Sequence, residues 1–279
     1  MRRLTVGRAA RFLVLCGAVL LVYSVGGYLA SIPHDARTAI KFALPLVLLL
    51  FTYACTRLER LRPWKPVSIA LLAASCGFLA AWLLSDRILG ALNVVGESAS
   101  GIALTKLSES TLIVAAAWLV ARIGGMSRTD LYLQRGRVRV WLPIGLAAFV
   151  VFSVLFLSQW TRAGLTTAAL LSALPWILMF VIANGFMEEF HFRGLLLRPF
   201  EGRLGRGGAN ACIALSFTLA HAPVTYVPDI VPFLAVLLVL AWLWGFLIQR
   251  TESLWGAVLF HAGADLLVVL GVFSTLGSS

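Results

Sequence analysis

The chain has 279 residues, of which 60% are hydrophobic and only 13% are charged, and its mean hydropathy is +0.93. Soluble globular proteins of this length are much less apolar, so the composition excludes that class and predicts an integral membrane protein. The formal net charge of +11 suits such a protein, because basic residues collect in cytoplasmic loops. The basicity therefore needs no nucleic-acid partner to explain it.

Long apolar runs divide the chain into membrane spans. On a template of about 20 apolar residues, we predict nine spans, at residues 12–30, 39–56, 67–84, 103–121, 140–158, 169–198, 209–222, 230–248 and 253–272. The first follows four arginines and resembles a signal peptide, but its length favours a retained helix. The seventh is short and could be tilted or half-buried, so eight spans is the alternative. The predicted fold is all-α, a polytopic transmembrane helical bundle of eight to nine helices.

The basic residues give an independent check of these spans. With a cytoplasmic amino terminus, 18 of the 23 lysines and arginines fall in the predicted cytoplasmic segments and five on the other side. This asymmetry is the one that sets the orientation of membrane proteins. We predict a multi-pass protein whose amino terminus is cytoplasmic, and the Ala-, Leu- and Arg-rich composition favours a bacterial cytoplasmic membrane.

Four cysteines, Cys16, Cys55, Cys76 and Cys212, all lie in apolar runs and form no metal-ligand spacing. We interpret them as small packing residues without disulfides.

Polar groups inside the predicted spans are concentrated in the carboxy-terminal half. They form three clusters, at residues 187–195, 217–221 and 261–265. The first contains Glu188, Glu189, His191 and Arg193, the second Phe217 and His221, and the third His261 and Asp265. Ionisable groups at membrane depth are costly, need partners and are functional candidates by default.

Residues four apart share one face of a helix. Glu189 and Arg193 have this spacing in the favourable order, and an arginine in lipid without a counter-charge would be very costly. We therefore predict that they form an internal ion pair. Glu188 points about 100° away around the helix and is the acid left free for chemistry.

Helix geometry predicts that three of these groups lie at one depth. If the sixth helix ends just before Pro199, Glu188 lies about 15 Å above its cytoplasmic end, at 1.5 Å per residue. The same rise puts His221 roughly 18 Å and His261 roughly 12 Å above the start of their helices. We expect His191, on another face, to be a lining or supporting residue, with Phe217 as a further supporting residue.

The three motifs together resemble a known family. Glu-Glu-x-x-x-Arg with Phe-Arg-Gly at 192–194, then Phe-x-x-x-His at 217–221 and His-x-x-x-Asp at 261–265, is similar to the CAAX prenyl protease and bacteriocin-processing (Abi) intramembrane protease family. The fragments 244–246 and 250–255 resemble the glycine-bearing helix and the turn before that family's last histidine. The resemblance covers about residues 168–271. The family more often has Asn where this chain has Asp265.

The resemblance implies an all-helical intramembrane endopeptidase in which a glutamate activates a water for attack on a peptide carbonyl. That role falls to Glu188 as general base. His221 could hold the water, and His261 and Asp265 could stabilise the oxyanion or orient other groups, with Asp265 favoured as the partner that sets the tautomer of His261. In a metal version, Glu188, His221 and His261 could be three ligands of a catalytic zinc with an open fourth position. The residues leave both versions open.

Two other function classes fit parts of the pattern. A non-catalytic immunity or partner-binding membrane protein would use the polar cluster as a structural lock, and a proton-coupled transporter would use it as a relay. The expected partners are the lipid bilayer and a peptide or membrane-protein substrate. We divide the chain into residues 1–167, about five helices of unknown role, and residues 168–279, a catalytic membrane region of about four helices.

Overall fold

The computed structural model describes residues 2–28, 32–96, 98–163, 165–225, 227 and 229–273. Over these ranges the chain is helical and contains no strand, which confirms the predicted all-α bundle. The α-helices are α1 (Arg2–Leu20), α2 (His34–Arg57), α3 (Lys65–Ala91), α4 (Ala99–Ile123), α5 (Val138–Arg162), α6 (Thr167–Glu188), α7 (Leu195–Ala220), α8 (Ile230–Thr251) and α9 (Trp255–Phe273). Two parts of our predictions lie outside the described residues. They are residues 29 and 30, at the end of the predicted first span, and residues 274–279, at the end of the predicted catalytic region 168–279.

Five of the predicted spans, the second to the fifth and the eighth, lie wholly within α2, α3, α4, α5 and α8. Within the described ranges, seven helical stretches are long and apolar enough to cross a membrane, so the protein is an integral, multi-pass membrane protein. The sixth and seventh predicted spans belong to one continuous helical stretch, Thr167–Ala220, and the apolar part of α9 is shorter, at Trp255–Leu270. Ser98 caps the start of α4 by accepting the N–H of Gly101 at 2.9 Å, as serine commonly does at this position.

The predicted end of the sixth helix before Pro199 is wrong. Two π-helical segments occur in the described chain, Leu21–Tyr28 and Glu189–Gly194, and the second continues α6 directly into α7. Pro199 lies inside α7 and is buried, so the missing N–H costs one hydrogen bond without ending the helix. The break comes instead at Gly205, whose φ of 74° and ψ of 168° are not helical and are open to glycine alone at low cost.

The carboxy-terminal helices pack against helices from the amino-terminal region. α5 lies along α9, α4 along α6, and α1 along α7. A methyl group on Gly263 of α9 would lie 2.8 Å from the Cα of Phe149, so the α5–α9 contact is close enough to exclude a side chain there. The division of the chain at residue 167 stays a prediction, and helices from both sides of it share one hydrophobic core.

The four cysteines are free and lie among these helices. Cys16 of α1 and Cys212 of α7 are in contact, with their Sγ atoms 3.0 Å apart.

Candidate active site

The site begins where α6 gives way to the π-helical segment. Glu188 is the last residue of α6, and all six residues of Glu189–Gly194 are buried. A π-helical turn inside an α-helix is rare and occurs frequently at functional sites. Here it presents two successive glutamates to different neighbours in the interior.

Three side chains predicted to act together do lie together. Glu188 Oε2 lies 3.5 Å from His261 Nε2 and 3.9 Å from His221 Nε2. Both distances exceed those of a good direct hydrogen bond, and the wider gap is one that a single bridging water can fill. The two imidazoles therefore face one carboxylate oxygen from helices that are far apart in the chain.

The orientation of His221 follows from its backbone contact. His221 directly follows the end of α7, and its Nδ1 lies 2.8 Å from the carbonyl oxygen of Phe217. A carbonyl can only accept a hydrogen bond, so Nδ1 carries a proton and donates it there. In the neutral imidazole, Nε2 is then an acceptor, and it is the atom that faces Glu188.

His261 is held by Glu189 rather than by the residue that we expected. Its Nδ1 lies 2.8 Å from Glu189 Oε1, whereas Asp265 Oδ1 lies 3.4 Å from the other nitrogen, Nε2. An ionised carboxylate can only accept a hydrogen bond, so the contact with Glu189 keeps a proton on Nδ1. The expectation that Asp265 sets this tautomer is wrong in the structure, because Asp265 faces Nε2.

Trp244 forms one wall of the His261 site. The indole and imidazole rings stack with centroids 4.0 Å apart and an interplanar angle of 8°. The indole therefore fixes the plane of the imidazole ring. The sequence places Trp244 only in the fragment 244–246, which resembles the glycine-bearing helix of the family, and predicts no role for it in the site.

Asp265 has a partner that sequence reasoning missed. The side-chain amide of Asn184 donates to Asp265 Oδ2 at 3.0 Å. Asn184 lies four residues before Glu188 on α6, so both face the same side of that helix. This spacing was the one signal in the sequence that could have identified Asn184.

The predicted pair of Glu189 and Arg193 is present and completely buried. Arg193 Nη1 donates to Glu189 Oε1 at 2.9 Å, and Nη2 donates to the carbonyl oxygen of Ala241 at 3.1 Å. The guanidinium also lies over the ring of Phe217, 4.5 Å from its centroid. Glu189 Oε1 therefore accepts hydrogen bonds from both Arg193 and His261. The same carboxylate oxygen thus forms the ion pair and holds a histidine of the site.

His191 does not line the site. It is fully buried, its Nε2 lies 3.0 Å from the carbonyl oxygen of Ala74 on α3, and its ring packs against Tyr23 and Phe78. The hydroxyl of Tyr23 also donates to the backbone carbonyl of His191. Of the two expected roles, the lining role is wrong and the supporting role remains, because this side chain lies in the packing between α3 and the π-helical segment that follows α1.

A cavity of about 670 Å³ leads to Glu188. Its lining is mostly apolar, and the polar side chains on it include those of Glu188, His221, His261, Asp265 and Asn184. The volume is in the range of clefts that bind small molecules or short peptide segments. An apolar cleft with a few convergent polar groups is the expected form of a binding or catalytic site.

The three candidate zinc ligands lie further apart than the ligand atoms of a tetrahedral zinc, with Glu188 Oε2 at 3.5 Å from His261 Nε2 and 3.9 Å from His221 Nε2. Bonds of 2.0–2.1 Å to a tetrahedral zinc put ligand atoms about 3.3 Å apart, and the gap between Glu188 and His221 is 3.9 Å. Among the residues that the structure describes, no group of three or more His, Cys, Asp or Glu side chains is arranged to hold a metal ion. We therefore derive no catalytic step through a metal.

These features define a polytopic helical membrane protein with a glutamate and two histidines at the buried end of an apolar cavity. Residues 170–267 match the family model described as type II CAAX prenyl endopeptidase Rce1-like, which confirms the resemblance to the CAAX prenyl protease family drawn from the three motifs. The matched range contains Glu188, His221, His261 and Asp265. Searches of curated proteins and of solved structures found no match.

Proposed function

We propose that this protein is an intramembrane endopeptidase that hydrolyses a peptide bond of a membrane-associated protein or peptide. The observation that carries the proposal is the convergence of His221 and His261 on Glu188, at 3.9 and 3.5 Å, at the end of the cavity. The match of residues 170–267 to a family of membrane endopeptidases supports the same chemistry.

Glu188 acts as the general base. A water between Glu188 and His221 donates one hydrogen bond to the carboxylate and the other to His221 Nε2, which accepts because Nδ1 holds the proton. These two bonds leave an oxygen lone pair of the water aimed at the substrate carbonyl. Glu188 takes the proton as the C–O bond forms and returns it to the leaving amine as the C–N bond breaks.

His261 stabilises the oxyanion. Its Nδ1 proton is committed to Glu189, so Nε2 is the atom that meets the substrate. In the imidazolium form Nε2 donates a hydrogen bond to the developing negative oxygen. Asp265, 3.4 Å from Nε2 and held by Asn184, balances the charge of this imidazolium. The negative charge of Asp265 also repels the oxyanion, and this repulsion weakens as the distance between the two groups grows.

The test compares cells that produce the wild-type protein with cells that produce Glu188→Ala. Mass spectrometry of new protein termini in the membrane fraction detects cleavage of any membrane protein, so the substrate need not be chosen beforehand. Termini that appear with the wild type and disappear with Glu188→Ala support the proposal, and Glu59→Ala, at an exposed carboxylate outside the site, is the matched control. Retained cleavage in a folded Glu188→Ala protein, or no cleavage that depends on the wild type, contradicts it.

A further inference from the structure

The second part of α7 is too short to cross the membrane. After the break at Gly205, residues 206–220 form about 15 residues of helix, or roughly 22 Å, against a hydrocarbon core of about 30 Å. The chain that follows is irregular where it is described, at residues 221–225, 227 and 229. Irregular backbone at membrane depth is tolerated only where it is buried in protein or lines a water-filled cavity.

This irregular segment forms a wall of the cavity. Its residues Pro223, Val224, Thr225 and Val227 all line the space that leads to Glu188, and the side chain of Thr225 is exposed. On α8, which begins just after this segment, four of the five lining residues lie in the first half of the helix. The cavity therefore extends from Glu188 toward the end of the bundle at which this segment lies.

The opposite end of the bundle is closed by a polar network. Arg198 pairs with Glu252, and its guanidinium lies 4.5 Å from the ring centroid of Tyr132. Gln249 donates to Glu201 at 2.7 Å, and so does the hydroxyl of Tyr132, at 3.2 Å. Burial, and after it the charge of Glu201, raises the pKa of Tyr132, which keeps the phenol a donor in this network. None of these five residues lines the cavity.

The closed end is the arginine-rich end of the protein. Arg198 and Arg203 lie between the site and the break at Gly205, and Arg206 follows the break directly, so this end of α7 is one of the arginine-rich segments of the chain. Such segments face the cytoplasm. The open end of the cavity thus faces the other side of the membrane.

We propose that substrate enters the site from the extracytoplasmic half of the membrane, through the opening beside residues 221–225 and 227. The substrate class is a polypeptide presented from that side, with apolar residues flanking the scissile bond to match the apolar wall. That a substrate uses this opening rests on the proposed function. The side of the membrane to which the cavity opens does not depend on that function.

The experiment measures the accessibility of two introduced cysteines to a membrane-impermeant maleimide. Thr225→Cys lies on the cavity wall, and Gly202→Cys is its matched control, since Gly202 is exposed at the closed end and has open space around its Cα. Each variant is labelled in spheroplasts and again after the membrane is permeabilised. The wild-type protein, with its four native cysteines, provides the blank.

We expect Thr225→Cys to be labelled in intact spheroplasts and Gly202→Cys only after permeabilisation. Three results overturn the proposal. Thr225→Cys is labelled only after permeabilisation, or both variants are labelled in intact spheroplasts, or Thr225→Cys is labelled in neither state. Both variants are first checked for wild-type amounts in the membrane, and if Thr225→Cys is degraded, Val227→Cys on the same wall replaces it. These outcomes leave the hydrolytic function untouched, because that function is tested by Glu188→Ala.

Discussion

Glu189 has two roles that a pair of variants can separate. It is fully buried and its Oε1 accepts from both Arg193 and His261. Glu189→Ala leaves the buried cation of Arg193 without a counter-charge, with one backbone carbonyl and two aromatic faces as its remaining contacts. Removing one partner of a buried ion pair costs about 3–5 kcal/mol. We expect a loss of that size in the free energy of unfolding, measured by denaturant titration in detergent.

The second variant replaces both charges by apolar side chains of similar volume, as Glu189→Leu with Arg193→Met. Such a replacement is often neutral or stabilising, because no buried charge is left uncompensated. We expect it to recover most of the lost stability while cleavage stays at least about a hundredfold below wild type, the lower end of the contribution of a positioned acid or base. The physical reason is that His261 Nδ1 has lost its acceptor, so the tautomer and the ring orientation are no longer set.

Two results would refute this reasoning. If Glu189→Ala unfolds at the same denaturant concentration as the wild type, Arg193 has a counter-charge other than Glu189. If the double variant folds and cleaves at the wild-type rate, Glu189 does not position His261 and acts on stability alone. The single variant Glu59→Ala, at an exposed carboxylate, controls for a general effect of removing one negative charge.

Three further predictions concern other parts of the site. Asp265→Asn removes the charge that balances the His261 imidazolium, but it also removes a negative charge that opposes the oxyanion and it keeps an acceptor for Asn184, so we expect cleavage to be retained, whereas a rate as low as that of Asp265→Ala would show that the balancing charge is needed. Gly263→Ala places a methyl group 2.8 Å from the Cα of Phe149, and we expect a loss of about 1–3 kcal/mol in unfolding free energy with slower cleavage; unchanged stability would mean that α5 and α9 separate freely. Treatment with a zinc chelator should leave the cleavage rate of the purified protein unchanged, because the donor atoms are not spaced for a metal, and a loss restored by added zinc would refute this.

Much of the local structure could be predicted from the sequence because it depends on neighbours in the chain. Continuous apolar runs predict membrane helices, since a backbone in lipid must satisfy its own hydrogen bonds. The spacing of Glu189 and Arg193 predicted an ion pair that the structure places at 2.9 Å, because residues four apart meet on the same face of a helix. The end of α6 could not be predicted in this way, because a π-helical turn gives no recognisable pattern in the residues.

The contacts that give each residue its place depend on the tertiary structure. The hydrogen bond from His261 to Glu189 joins residues 72 positions apart, and that from Asn184 to Asp265 joins residues 81 apart. No spacing rule predicts such pairs, because they depend on which faces of α6 and α9 meet. The residue types alone therefore identified an acid and two histidines as candidates, whereas packing decided that Glu189 holds His261 and that His191 lies in the core. The direction of the cavity was decided in the same way, because the described irregular residues that follow α7 form one of its walls.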